Sequence, residues 1–249
     1  MAGHVEYPDP VGRPDMAFAL DDVSLDALPL DGMSMINGRD AMGSGVLRNV
    51  TLGVRPGRFV AVMGPPRSGK SALLNVIAGM VKPTSGSVRW GTGEKPEAAF
   101  VGPVEELPRQ ARVREVVEQS GSHADASVLS RVYHGAGLWW SRRRRVAALS
   151  AAARQRLAVA REAATAPALL LAAHEPGSRA VREMNALSAG LRGIVDSCRL
   201  TAVMVTDDPV AAARADSVIF LRRGEIVDMA AGADPGLIHA CLARINRLA

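Results

Sequence analysis

A lysine, a serine and two glycines carry the clearest chemistry in this sequence of 249 residues. Four residues separate Gly64 from the triplet Gly69, Lys70 and Ser71, which gives the spacing G-x-x-x-x-G-K-[ST]. In such a loop, backbone N–H groups surround an anion at a helix N-terminus, where the helix dipole also favours negative charge. Lys70 would then reach the β- and γ-phosphates of a nucleotide, and the Ser71 hydroxyl would ligate Mg²⁺. The alternative is a strand-to-helix turn whose lysine is merely exposed.

Two residues weaken this predicted phosphate loop. Pro66 has no backbone N–H to donate, and Arg67 is strained if its position needs a positive φ. The predicted nucleotide-binding residues are Gly64, Pro65, Pro66, Arg67, Ser68, Gly69, Lys70 and Ser71.

The flanking sequence predicts the elements that position the loop. The continuous apolar run Phe59–Met63 is typical of a strand that is buried on both faces of a parallel sheet. After the loop, apolar residues from Leu73 to Ile77 follow helical spacing, and Gly79 can end that helix. Strand, glycine loop and helix are the context in which this spacing binds phosphate.

Composition sets broad limits on the kind of protein. The chain is 48% apolar, which is ample for one large α/β domain or two small ones. It contains no apolar run of the ~20 residues that cross a bilayer, and its start does not resemble a secretory signal, so we expect a cytosolic chain. Cys198 and Cys241 have no metal-ligand or redox spacing, which predicts reduced core residues.

The formal charge of +5 permits contact with nucleic acid or anionic lipid. The basic run 142–145 follows Trp139 and Trp140 after a single serine. Together they would offer RNA both positive charge and a stacking surface. The alternatives are a solvated charged face and tryptophans that either pack on a helical subdomain or face a partner.

The order of predicted elements indicates an α/β fold with a mostly parallel core sheet and an antiparallel edge. Residues 1–16 form a predicted loose tail, and residues 17–249 one domain with a helical subdomain inserted at about 112–160. Ligands of such sheets bind at the carboxyl ends of the strands, where Gly64, Glu175 and Thr206 fall.

Four segments in the same order resemble the nucleotide-binding subunits of ABC transporters, above all the type that serves lipoprotein-releasing and macrolide-export permeases. They are VAVMGPPRSGKSALLNVIAGMVKPTSGSV, LSAAARQRLAVAREA, LLLAAHEPGS and VMVTDDPVAAARADSVIFLRRGEIVD. The resemblance implies a P-loop NTPase fold of the ABC type, with ATP and Mg²⁺ as cofactors. It also implies two partners, a membrane permease and a second ATPase subunit in a homodimer or heterodimer, at the inner face of the membrane.

Several residues depart from the pattern of the family. The aromatic residue that stacks on adenine aligns with Ala27 or Met42, and the glutamine that senses Mg²⁺ aligns with Gly102, before Pro103. Two glycines of the signature sequence that let backbone approach a partner's γ-phosphate have methyl groups here. Those two positions are Ala151 and Ala152.

Residues that bind metal and phosphate in the family are also replaced in this sequence. The aspartate that holds Mg²⁺ aligns with His174, which alternatively is an ordinary buried histidine, whereas Glu175 keeps the position of the general base. The D-loop aspartate aligns with Val181, and the histidine that contacts the γ-phosphate aligns with Asp207. A carboxylate at the last position repels triphosphate, while Asp208 before Pro209 is typical of a helix N-cap.

These departures affect base stacking, metal ligation and water positioning, which supply most of phosphoryl-transfer catalysis. The sequence therefore predicts a degenerate ABC-type subunit that binds nucleotide and hydrolyses it slowly or not at all, with a weak or altered Mg²⁺ site. The alternative is a non-catalytic module that senses nucleotide or acts as a scaffold. A third hypothesis, an ABC protein that acts on ribosomes or DNA, is less favoured because such proteins usually join two cassettes in one chain.

Overall fold

The computed structural model describes residues 16–26, 47–91, 93–95, 97–102, 104–173, 181–232 and 234–247. Predictions for residues 1–15 of the tail lie outside these ranges, as do those for Ala27, Met42, Pro103, His174 and Glu175.

The described residues form nine strands, seven α-helices and three short 3-10 helices. The strands are β1 Phe18–Leu25, β2 Leu47–Val54, β3 Phe59–Met63, β4 Ser85–Trp90, β5 Ala98–Phe100, β6 Leu169–Ala173, β7 Thr201–Val205, β8 Ser217–Arg222 and β9 Glu225–Ala231. The α-helices are α1 Lys70–Ile77, α2 Val113–Ser120, α3 Ala126–Gly135, α4 Ala151–Ala163, α5 Val181–Cys198, α6 Pro209–Ala212 and α7 Pro235–Arg247. The 3-10 helices are Val104–Glu106, Trp139–Ser141 and Val146–Ala148.

The described residues divide into two compact units. The first unit takes its residues from Met1–Pro56, Val60–Pro96 and Val205–Ala249, and the second from Gly57–Phe59 and Glu97–Met204.

A three-stranded antiparallel sheet in the first unit has the order β2-β1-β4. Leu20 in the central strand is opposite Leu52 on one side and Val88 on the other. Phe18 and Leu20 are completely buried, so this sheet has an apolar face that belongs to the core.

The six-stranded sheet has the order β5-β6-β7-β3-β8-β9. Strand β3 pairs with β8 in parallel and β5 with β6 in parallel, whereas β8 and β9 form an antiparallel hairpin. Arg223 and Gly224 connect the hairpin with φ angles of 50° and 84°. Two successive positive φ angles are typical of the tight turn that matches the twist of paired strands.

Helices dominate the second unit between residues 113 and 163. Helix α4 packs on α5, and α5 also packs on α3. Two glycines allow the second contact, because a β-carbon at Gly193 of α5 would be only 2.0 Å from the carbonyl oxygen of Gly135 in α3. The backbones of these helices therefore touch directly.

The predicted strand Phe59–Met63 is confirmed as β3 and the helix predicted to run through Ile77 as α1, but the C-terminal helix α7 was not predicted. Helix α6 is short and ends at Ala212, where a turn follows it. Cys198 and Cys241 are free, as predicted, but both are half-buried rather than core residues. Burial raises the pKa of the Cys198 thiol above its usual value, which disfavours the reactive thiolate.

None of the helices in the described ranges has both the length and the apolarity to cross a membrane.

Candidate phosphate-binding site

The predicted phosphate loop begins where β3 ends. All five residues of β3 are buried, so the strand fixes the position of the loop that follows. Gly64 comes next, and a β-carbon there would lie 2.1 Å from the carbonyl oxygen of Leu221 in β8. Only glycine can occupy this position without moving the neighbouring strand.

The loop is also tied to the β8–β9 hairpin. The backbone N–H of Gly224 donates to the carbonyl oxygen of Ser68 at 3.0 Å, and the N–H of Ser68 donates to that of Pro65 at 3.2 Å. Arg67, which is exposed, has a φ of 60°, so its position does need the left-handed conformation that costs a side chain about 1–2 kcal/mol. The loop therefore keeps its fold around a strained arginine.

The N-terminus of α1 has the features of an anion site. Gly69 is its N-cap, with a φ of 101°, and no side chain caps the helix or places a negative charge in its first turn. The backbone N–H groups and the positive end of the helix dipole can therefore be used by a phosphate. Ser71 is half-buried in the first turn, where its hydroxyl could ligate a Mg²⁺ ion held by that phosphate. These residues fit a nucleotide phosphate and its metal.

Lys70 folds back over the loop. Its ammonium donates to the carbonyl oxygens of Gly64 at 2.6 Å and Pro65 at 2.9 Å, and only 10% of its side chain is exposed. The alternative of a merely exposed lysine is therefore wrong. The ammonium therefore lies against the first two residues of the loop.

Asp207 forms an ion pair with this lysine. Its Oδ1 lies 3.6 Å from Lys70 Nζ, and its side chain is 40% exposed. The backbone on both sides is held, because the N–H of Thr206 donates to the carbonyl oxygen of Val62 and the N–H of Asp208 to the Thr206 hydroxyl. Asp208 caps α6 by accepting from the N–H of Val210, as predicted. The resemblance to the family predicts that Asp207 lies near the phosphates, but it did not predict the ion pair of Asp207 with Lys70.

Ala151 and Ala152 occupy the first turn of α4 in the second unit. Ser150 is the N-cap, and its hydroxyl accepts from the N–H of Ala153 at 3.2 Å. Both alanines are half-buried, and neither has a positive φ. Their methyl groups therefore stand at an ordinary capped helix N-terminus.

Gly102 lies beside an ion pair that the sequence did not predict. A β-carbon at Gly102 would be 2.9 Å from Arg161 Nη2 and 3.2 Å from Glu106 Oε2, and these two atoms are 3.9 Å apart. A longer side chain at this position would have to displace the arginine. Val181 is the first residue of α5, and its side chain is among those not described.

The two tryptophans have different surroundings. Trp139 is half-buried, stacked on the His134 ring at 4.2 Å, and the Arg142 guanidinium lies 3.5 Å from its ring centre. Trp140 is 93% exposed. A groove of about 420 Å³ is lined by Arg114, Glu118, Trp139, Trp140, Arg142 and Arg143.

Comparisons with known proteins agree with this architecture. A family model described as "ABC transporter" matches residues 47–176, just over half of the chain. The lipoprotein-releasing system ATP-binding protein LolD 1 of Rhodospirillum rubrum is 31% identical over 222 residues, which cover 81% of this chain and 97% of that protein. The aliphatic sulfonates import ATP-binding protein SsuB 1 of Burkholderia lata is also 31% identical, over 82% of this chain and 64% of its own length.

Solved structures share the fold. The ATP-binding cassette MJ0796, in a dimeric post-hydrolysis state with ADP and Pi, matches with a TM-score of 0.60 at 23% identity, over 87% of this chain and 99% of its own. The protein cbiO1 from Clostridium perfringens, part of an ABC transporter complex, matches with a TM-score of 0.67 at 16% identity, over 94% of each chain. The predicted α/β fold with a mostly parallel core sheet and an antiparallel edge is confirmed.

Proposed function

The chain belongs to the ABC transporter family, and on this premise we propose that it is an export-type ATP-binding subunit that binds nucleotide and hydrolyses it weakly or not at all. The observation that carries the proposal is the loop itself. Its backbone and the uncapped N-terminus of α1 offer a phosphate site, whereas Lys70 is paired with the carboxylate of Asp207.

Nucleotide binding would use the eight predicted loop residues. The loop N–H groups and Lys70 would hold the phosphates, and Ser71 would contribute one ligand to Mg²⁺. Because His174 stands at the aligned position of the metal-binding aspartate, we infer a weak or altered Mg²⁺ site. Glu175 remains the only candidate general base that the resemblance implies.

Weak hydrolysis would follow from losses at separate steps. Asp207 replaces a group that should stabilise transition-state charge with one that opposes it. Gly102 cannot position a water as glutamine would, and Val181 has no polar group for the subunit interface. The methyl groups of Ala151 and Ala152 occupy space at the helix N-terminus that would face a partner's γ-phosphate. Each of these changes removes an interaction that lowers the activation barrier, so together they should slow hydrolysis by a large factor.

Two partners follow from the proposal. A membrane permease would dock on the helical subdomain, which we place at about residues 112–160, and a second ATPase subunit, identical or an intact paralogue, would complete the nucleotide sites. The chain would then lie in the cytoplasm at the inner face of the membrane. Relatives include both exporters and importers, and export rests on the resemblance to lipoprotein-releasing subunits.

The test is to measure ATP affinity and phosphate release on the purified chain, alone and with its permease. We expect binding that weakens at least tenfold in Lys70→Ala, with turnover well below ~1 s⁻¹, the low end of ordinary enzymes. Lys82→Ala is the matched control, because it removes an exposed lysine of the same unit that lies outside the loop. Turnover above ~1 s⁻¹ that disappears in Glu175→Gln would contradict the proposal.

One observation favours the scaffolding alternative. Lys70 has two carbonyl partners and a carboxylate within the chain, so its charge is compensated without a nucleotide. If the chain is a scaffold alone, ATP should neither bind nor raise the melting temperature, and Lys70→Ala should leave partner binding unchanged.

A further inference from the structure

We propose that Asp207 acts as an internal anion that shifts the specificity of the phosphate loop from nucleoside triphosphates toward nucleoside diphosphates. The inference rests on the proposed function, since it concerns the nucleotide that the same loop binds. It goes further by assigning a ligand class and a residue that selects it.

The geometry supplies the first step. Asp207 Oδ1 is 3.6 Å from Lys70 Nζ, which is longer than a hydrogen bond but close enough for a strong Coulomb interaction. A phosphate oxygen bound to that ammonium would lie about 2.8 Å from the nitrogen, and so within about 6.5 Å of the carboxylate oxygen. Asp207 therefore shares its cation with the outermost phosphate that Lys70 would contact.

The surrounding backbone makes the carboxylate hard to remove. Thr206 is buried and hydrogen-bonded to β3 through Val62, and Asp208 is fixed as the cap of α6. Rotation of the Asp207 side-chain torsions leaves the negative charge near the loop. Water screens it in part, since the side chain is 40% exposed. Salt screens it little, because the separation is shorter than the Debye length of about 8–10 Å.

The effect must differ between the two nucleotides. A triphosphate places one more charged group near Lys70 than a diphosphate does, and that group meets the carboxylate directly. The inner phosphates are held mainly by the loop N–H groups, so a smaller share of their binding depends on the cation that Asp207 shares. Removal of the carboxylate charge should therefore strengthen binding of ATP more than binding of ADP.

The experiment compares ATP and ADP affinities of the full chain by equilibrium fluorescence titration, in EDTA and in excess Mg²⁺. We expect the native chain to bind ADP at least as tightly as ATP. In Asp207→Asn, the dissociation constant should fall about tenfold for ATP and threefold or less for ADP, and Mg²⁺ should narrow this difference by masking phosphate charge. Asp207→Ser should act in the same direction, which guards against an effect of the asparagine amide.

Asp208→Asn is the matched control, because asparagine keeps the cap of α6 while removing a carboxylate from the adjacent residue. It should change the ratio of the two affinities less than twofold. A native preference for ATP over ADP, or equal changes for both nucleotides in Asp207→Asn, would overturn this inference alone. If no variant binds either nucleotide, both this inference and the proposed binding function fail.

Discussion

Arg67 carries the clearest conformational strain in the phosphate loop. Its φ of 60° is a conformation in which the β-carbon crowds the following carbonyl group, and the side chain is exposed. We expect Arg67→Gly to raise the free energy of unfolding by about 0.5–1 kcal/mol, because relief of strain exceeds the added entropy of the unfolded chain. Chemical denaturation measures the change.

Arg67→Ala is the control for that substitution, since alanine keeps the β-carbon and removes only the exposed guanidinium. It should leave stability within about 0.5 kcal/mol of the native value. Equal stabilisation by alanine and glycine would mean that side-chain charge, and not backbone strain, limits the stability of the loop.

The residues of the loop could be predicted from sequence because their spacing is local. Gly64 and Lys70 follow from one contiguous motif, whereas the positive φ of Arg67 was an open condition that only the structure answered. The pairing of Lys70 with Asp207 could not be predicted in the same way, because the aspartate comes from a distant part of the chain. The ion pair of Arg161 and Glu106 beside Gly102 was missed for the same reason.

At the level of elements, apolar periodicity predicted most strands and helices but not how closely helices pack. The contact of α3 with α5 depends on Gly135 and Gly193, which look like isolated helix-weakening glycines in the sequence. Helix α7 was not predicted, although its apolar residues follow helical spacing, because the resemblance to the ABC family ends before this helix. The start of α6 could be predicted because its N-terminal signal, Asp208 before Pro209, is clear, whereas no residue signals its end.

Gly193 gives the sharpest prediction about an element. A methyl group there would lie 2.0 Å from the Gly135 carbonyl oxygen. The helix backbones fix the positions of both the methyl group and the oxygen, so neither can rotate away. We expect Gly193→Ala to lower the free energy of unfolding by about 2–3 kcal/mol, because overpacking exceeds the gain in helix propensity. Thermal unfolding monitored by circular dichroism measures it.

Gly190→Ala in the same helix is the matched control. Its β-carbon would meet Arg156 Cγ at 3.3 Å, and a flexible arginine can give way. The substitution should be neutral or stabilising by up to about 1 kcal/mol. If Gly190→Ala and Gly193→Ala destabilise equally, the close approach of α3 and α5 is not what requires glycine.

In the whole molecule, the two units carry different groups of residues. The first unit contains the phosphate loop and its internal anion, and the second contains Trp140 and the surrounding arginines on a helical surface. A subunit that has lost hydrolysis can still serve a transporter if its surfaces bind their partners. Permease binding should therefore depend on the second unit and be insensitive to changes in the loop.

Trp140 allows this separation to be tested. Its side chain is 93% exposed, and exposed tryptophans that become buried in an interface often contribute more than 2 kcal/mol to binding. We expect Trp140→Ser to weaken binding to its permease in nanodiscs at least tenfold, with ATP affinity and melting temperature unchanged because the indole packs on little in the free chain. Leu237→Ser is the matched control, since Leu237 is a 50% exposed apolar residue of the first unit and should not affect permease binding. Native permease affinity in Trp140→Ser, or an equal loss in Leu237→Ser, would show that docking does not use this surface of the helical unit.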